Sequence, residues 1–318
     1  MRGTPEIAAY KANSLAGNMK LCSFLESDKI SAGVLLGSDV VDVLTINQVL
    51  GSSFPNSVSD LIQSSLLDAL RGTIIRHADR LRGCGRNLAG LTLTLPYRNP
   101  PKIWGIGLNF AEHASDLAEK RPDEPASFMK PATTMIGPGE PVRLPPDSEC
   151  VTGEAELAVV IGKRCKFVSQ EEAPSVIAGF LPAIDMTAED ILRRNPRFLT
   201  RAKSFDTFLS LGPFLVTPDE VGGAEELQTV RVSTRLNGEV KRTNILANMR
   251  HSVFELVAYH SRVFTWEPGD ILLTGTPGAA VLSSGNTIRC EIEGVGSVEN
   301  PVLRLPRDPA PRVEKGEK

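Results

Sequence analysis

The chain has 318 residues, of which 41% are hydrophobic and 23% charged, and its formal net charge is -3. That length fits one large domain or two unequal ones and is ample for a buried core. The slight acidity offers no basic face, so neither nucleic acid nor an anionic membrane is expected as a partner.

Five cysteines (Cys22, Cys84, Cys150, Cys165, Cys290) are scattered singly. An odd count without a C-x-x-C pair argues against a disulfide framework and for a reducing cytoplasm. The first residues carry no long apolar core of a secretory signal. No apolar run approaches the ~20 residues of a membrane helix.

In chain order, residues 1–18 read as a loose polar lead-in. Residues 19–100 read as a small α+β domain. In it Met19–Glu26 and Ile30–Val43 form short strands around polar turns at 27–29 and 37–39. Helices are expected over roughly 57–71 and 73–83, because Leu61, Ile62, Leu66, Leu67 and Leu70 recur at helical spacing. Arg98-Asn99-Pro100-Pro101-Lys102 marks a boundary, and residues 101–305 form a second, strand-dominated domain. There Asn109 with Glu112 predicts a capped helix over about 110–120. Leu157–Ile161 reads as a buried strand, and Ser169 with Glu172 as a cap opening a helix that ends near Gly179. Val230–Leu236, Asn237-Gly238 and Glu239–Thr243 carry a hairpin signal. Ser252 with Glu255 caps a helix to about Phe264, a turn at 267–270 leads into strand 271–274, and Thr287–Glu293 alternates as a half-buried strand. The charged, proline-rich tail 306–318 reads as disordered. Many short strands with few long helices indicate a β-rich α+β fold.

Gly153-Glu154-Ala155-Glu156-Leu157 carries the strongest chemical signal. In a strand, residues i and i+2 share a face, so Glu154 and Glu156 stand side by side at the mouth of an apolar run. Two like charges beside a dry core are costly, and a divalent cation resolves the conflict. Asp185, at the end of the apolar run Phe180–Ile184, is the third acid. Mg²⁺ suits such carboxylate sets. On spacing alone a solvated strand end for the glutamates, with Asp185 capping a helix at Met186, explains the same residues. His113 and Asp116 share a helical face, as water activation requires of a base and its acid, although an exposed pair has the same spacing. His260 falls on an apolar helical stripe and reads as a core histidine, and His77 and His251 carry no functional signal. No third glycine follows Gly105-Ile106-Gly107, and G-K-[ST], G-x-S-x-G and H-E-x-x-H are all missing, which argues against dinucleotide sites, P-loops, serine hydrolases and zincins.

Six segments occur in order: 107–113, 128–131, 153–162, 203–208, 211–213 and 268–277. Together they resemble the fumarylacetoacetate hydrolase family, in its acylpyruvase and 2-hydroxyhepta-2,4-diene-1,7-dioate isomerase-like branch. The resemblance implies a β-roll catalytic domain, a homodimer, and Mg²⁺ or Mn²⁺ (with Ca²⁺ as a stand-in in crystals) bound by Glu154, Glu156 and Asp185. It implies that His113 activates water, with Asp116 or Glu119 as its partner. It places Lys203 near the metal and Thr276 on the substrate, with Lys130 as a weaker candidate. One departure stands out. The family often has Ser-Ala-Arg-Asp after the metal aspartate, its arginine contacting the substrate carboxylate, where this chain has Thr187-Ala188-Glu189-Asp190. Arg193, Arg194, Arg197 and Arg201 follow as a substitute clamp or a solvated basic face.

The expected activity is metal-dependent hydrolysis of a C–C bond in an acylpyruvate-like 2,4-dioxo acid. Decarboxylation or tautomerisation of an oxo acid, such as oxaloacetate or an unsaturated seven-carbon dioate, is the first alternative. A non-catalytic cation-binding protein is the second.

Overall fold

The computed structural model describes residues 19–110 and 123–306. The expected lead-in, the helix after Asn109 and nearly all of the tail lie outside these residues. Two sheets organise the described chain, one of fourteen strands and one of five.

At the centre of the larger sheet, Val151–Ile161 pairs antiparallel with Ile177–Ala188. Every residue of both strands is buried. Alternation assigns their side chains to two cores. Ala155, Leu157, Val159 and Ile161 join Val232, Ile288, Cys290 and Val302 of the smaller sheet. Ala158, Val160, Leu181 and Ala183 join Leu21, Val34, Ile46 and Leu70 from the N-terminal strands and helices.

Those N-terminal elements form a meander, Lys20–Glu26, Lys29–Leu36 and Asp39–Asp42, followed by four helices. The meander joins the rest of the sheet where Lys20–Cys22 pairs with Phe214–Val216. The same strand crosses Ile177–Ala188 at Phe180. A side chain at Gly179 would put its Cβ 2.5 Å from the Val216 carbonyl oxygen, so this crossing requires glycine.

Several expectations need correction. The expected strand to Val43 ends at Asp42, whose carboxylate accepts from the Leu44 amide and starts an unforeseen helix, Val43–Leu50. The two helices expected over 57–83 are three, Val58–Gln63, Leu67–Arg76 and Ala78–Leu81. The first break lies at Ser64–Leu66, where Ser65 takes a φ of 55°. The Ser169–Glu172 cap forms, yet it opens only a 3-10 turn, Ala173–Val176, before the chain turns extended at Ile177. Pro182 lacks a backbone donor and would break a helix, and pairing with Val151–Ile161 supplies the alternative. Asp185 therefore lies within a strand that continues to Ala188, neither at its end nor at a helix cap.

Other expectations agree with the structure. The hairpin runs Arg231–Leu236 and Glu239–Ile245, with Asn237 and Gly238 at φ 52° and 84°, as a type I′ turn needs. Ser252 and Glu255 form a capping box for Val253–Val263. His260 is buried and its Nδ1 lies 2.9 Å from the Leu256 carbonyl oxygen. No helix among the described residues is long and apolar enough to cross a membrane.

Candidate metal centre

The face that carries Ala158, Val160, Leu181 and Ala183 turns polar toward its other end. Thr152, Glu154 and Glu156 succeed one another along one strand, and Asp185 and Thr187 along the other. Glu154 stands directly opposite Asp185, and Thr152 opposite Thr187. Two-residue periodicity plus this register brings Glu154, Glu156 and Asp185 together, each offering an oxygen within 4.8 Å of the others. All three are at most 3% exposed.

Two ammonium groups meet these acids. Lys203, from the short helix Leu199–Lys203, donates to Glu154 Oε2 at 2.8 Å and to Asp185 Oδ2 at 2.5 Å. It also lies 4.7 Å from the centre of the Phe128 ring. Lys130, just after the strand Ala126–Met129, donates to Asp185 Oδ1 at 2.5 Å and to the Met186 carbonyl at 3.3 Å. The remaining contacts fix orientation. The Gly275 amide donates to Glu156 Oε2 at 2.7 Å, and the Thr187 hydroxyl to Glu154 Oε2 at 3.3 Å.

Burial and crowding set the charge states. Burial raises Glu156 well above the usual carboxylate range, and the neighbouring Asp185 adds to the rise. Burial pulls Lys130 down to about 8, against the attraction of Asp185. Burial also works against Lys203, but Asp185, Glu154 and Glu156 together outweigh it and raise its pKa.

Three hard oxygen donors, with no histidine or cysteine in the cluster among the described residues, suit Mg²⁺ or Mn²⁺ better than a soft metal. Excess negative charge in a dry place supplies the driving force, so these residues fit a divalent cation.

The other predicted positions are distributed as follows. His113, Asp116 and Glu119 lie outside the described residues. Glu189 is 3% exposed, with Oε1 3.3 Å from the Thr152 hydroxyl. Its carboxyl is raised by burial and by Glu154, while Lys203 and Arg193 work the other way. Arg193 lies 3.9 Å from Glu189 Oε2 with a largely exposed side chain. Arg194 pairs with Asp190 on the surface, away from the triad. Thr276 is buried, and its hydroxyl bridges the amide and carbonyl of Gly278 at 3.2 Å each, which braces the loop that carries Gly275.

Sequence reasoning missed Thr152, Thr187 and the bracing role of Asn109. The Asn109 amide donates to the carbonyls of His251 and Thr274 and accepts from the His251 amide. Its side chain thus ties the end of strand Ile103–Gly107 and the turn after it to the loop beside Glu156. His251, given no role from sequence, is buried there with Nδ1 2.8 Å from Glu255 Oε1. Spacing of four to Glu255 was its only available signal.

Residues 102–303 match the sequence family described as Fumarylacetoacetate (FAA) hydrolase C-terminal. Over 307 residues, 92% of each chain, the sequence is 32% identical to oxaloacetate tautomerase fahd2, mitochondrial, of Xenopus laevis. The fold is similar to maleylpyruvate hydrolase from Sphingobium sp. SYK-6 in complex with manganese(II) ion and pyruvate. That match has a TM-score of 0.74 and 28% identity and covers 91% of this chain and 100% of the other. It is also similar to 5-carboxymethyl-2-hydroxymuconate delta-isomerase from Mycobacterium smegmatis, with a TM-score of 0.70, 31% identity, and 91% and 100% coverage. Ordered motifs, β-rich fold and buried acidic triad lead to one conclusion: the chain belongs to the fumarylacetoacetate hydrolase family.

Proposed function

We propose that this chain is a divalent-metal-dependent enzyme of 2-oxo acids that hydrolyses a C–C bond in an acylpyruvate-like 2,4-dioxo acid. The observation that carries the reading is the convergence of Glu154, Glu156 and Asp185 in a buried site bordered by Lys130 and Lys203. Glu154, Glu156 and Asp185 would hold a divalent cation, which would supply Lewis acidity at the oxo acid end of the substrate.

The chain's own residues do the rest. Lys203 brings a permanent positive charge to the substrate's oxo acid end, where negative charge develops as the C–C bond breaks. Lys130 holds Asp185 in orientation through its bonds to Oδ1 and to the next carbonyl. The Gly275 amide fixes Glu156, and Thr276 braces that amide's loop. His113, with Asp116 or Glu119, takes a proton from water. The water oxygen bonds to the distal carbonyl carbon, and the electron pair of the broken C–C bond passes to the carbon next to the 2-keto group, which is then protonated. Two acids leave.

Mixing the protein with Mg²⁺ and a panel of acylpyruvates tests this. Loss of enol absorbance with two acid products is expected, abolished by chelator and restored by Mg²⁺ or Mn²⁺. Turnover that survives excess chelator, or the His113→Ala change, overturns the assignment.

A second reading is tautomerisation of an oxo acid, favoured by the tautomerase name of a relative aligned over 92% of this chain, with decarboxylation as the chemically related alternative. Those reactions need enol stabilisation but no attacking water. Product mass separates them: unchanged for tautomerisation, less carbon dioxide for decarboxylation. A homodimer belongs to the same proposal, and light scattering in solution checks it.

A further inference from the structure

The polar file on the central sheet face extends past the triad. Thr152 follows Glu154 on one strand, Thr187 follows Asp185 on the other, and the Glu189 carboxyl closes the file beside Thr152. These three residues are 5%, 1% and 3% exposed.

The neighbouring acid has a different task. Asp190 accepts from the Ser148 hydroxyl at 2.6 Å and from the Glu149 amide at 3.3 Å, which organises the loop before the central strand. Asp190 thus does the local structural work at the head of the helix Glu189–Arg194. Glu189 has weaker partners, one hydroxyl at 3.3 Å and Arg193 at 3.9 Å. Lys203, the buried cation on this side, is engaged by Glu154 and Asp185. A buried carboxyl with two oxygens and only these partners among the described residues has acceptor capacity to spare.

We propose that Glu189 selects the substrate's tail, favouring 2-oxo acids whose far end carries a hydrogen-bond donor (hydroxyl, primary amide or ammonium) over those ending in a second carboxylate. This rests on the reading that the triad holds a metal and a 2-oxo acid. With the oxo acid end fixed at the triad, a tail running along Thr152 and Thr187 reaches the Glu189 carboxyl. A donor there finds an acceptor. A carboxylate meets a like charge in a dry place, and the buried cations Lys130 and Lys203 are already engaged by the triad. Rejection by a misplaced charge sets specificity as effectively as an added attraction.

Isosteric ligand pairs test it. Calorimetry with Mg²⁺ present compares the 7-amide of 2-oxopimelate with 2-oxopimelate, and the 8-amide of 2-oxosuberate with 2-oxosuberate, chains too long for the amide nitrogen to close a five- or six-membered ring on the keto carbon, using tail-less pyruvate as control. Wild type should bind the better-fitting amide at least about tenfold more tightly than its acid. Glu189→Gln should bring the pair to within about threefold, and Glu189→Arg should invert the preference, each read as the ratio of amide to acid within one protein so that any change in metal or pyruvate affinity cancels. Equal binding of amide and acid by wild type overturns the proposal, as does a preference that survives both substitutions. Should Glu189→Arg fail to fold, Glu189→Gln decides alone. Absence of pyruvate binding by wild type with Mg²⁺ sinks the metal and oxo acid reading itself, and this inference with it.

Discussion

Glu156 is the acid on which the site's chemistry presses hardest. It is buried, beside Asp185, and relieved by the charge of Lys203 and by one backbone amide. Glu156→Gln keeps the shape and the acceptor for Gly275 but removes a charged donor. Mn²⁺ affinity measured by calorimetry should fall by more than about 100-fold, beyond the ~10–100-fold that loss of an outer-shell partner costs. Wild-type affinity in that variant would remove Glu156 from the metal set. The pairing of Glu154 with Glu156 was legible because strand periodicity needs only neighbours. Asp185 joins them through a register between residues about thirty positions apart, which no local pattern encodes. Lys130 was the hardest to read. A lysine between methionine and proline resembles a solvated loop residue, and only the fold shows its ammonium buried against Asp185.

At the scale of elements, two segments carry predictions. The loop 274–278 delivers the Gly275 amide to Glu156 with Gly275 at φ +95°, and a Cβ there would sit 2.8 Å from Asn109 Cβ. Gly275→Ala should push the loop away and weaken Mn²⁺ binding at least about tenfold, with the melting temperature falling as well, since the backbone angle itself opposes a side chain. Unchanged Mn²⁺ affinity would show that the amide does not position Glu156. The helix Val253–Val263 carries His260 among the rings of Trp104, Phe264 and Trp266. Burial lowers its pKa. A depressed base contributes stability above its ordinary value near ~6.5 that is lost as pH falls through the folded value. The melting temperature should therefore drop between neutral pH and pH ~5, and His260→Gln should flatten that drop. A slope indifferent to the substitution would assign the pH dependence elsewhere. The helix itself was readable from its capping box, because both partners are three residues apart. The same logic misled at Ser169, where the box formed but distant strand pairing claimed the following residues.

Across the whole molecule, the N-terminal meander and helices complete one face of the central sheet. Leu21, Val34, Ile46 and Leu70 pack with Val160, Leu181, Leu215 and Leu273 in a shared core, and Lys20–Cys22 covers the edge of Phe214–Val216. A fragment starting at residue 101 would expose that core and an unpaired strand edge, both aggregation hazards. It should sediment as aggregate and lack a cooperative melting transition. A monodisperse fragment that unfolds like the full chain would prove the roll independent. The Pro100-Pro101 punctuation was visible in the sequence, whereas continuity of the sheet across it was not, since hydrogen bonding between strands nearly two hundred residues apart leaves no local trace.

Two ammonium groups standing among three carboxylates also bear on assembly. Their charges offset part of the acids' repulsion before any ion arrives, so the polypeptide is expected to reach its native shape without metal and to keep one excess negative charge for the ion. This is the reverse of a zinc finger, whose ligands cannot gather unaided. Dialysis against chelator should leave the circular dichroism spectrum intact while silencing turnover, and added Mg²⁺ should raise the melting temperature only as mass action demands. A chain that stays folded under chelator would take up and release its ion without unfolding, and metal supply would then act on activity and not on the fold.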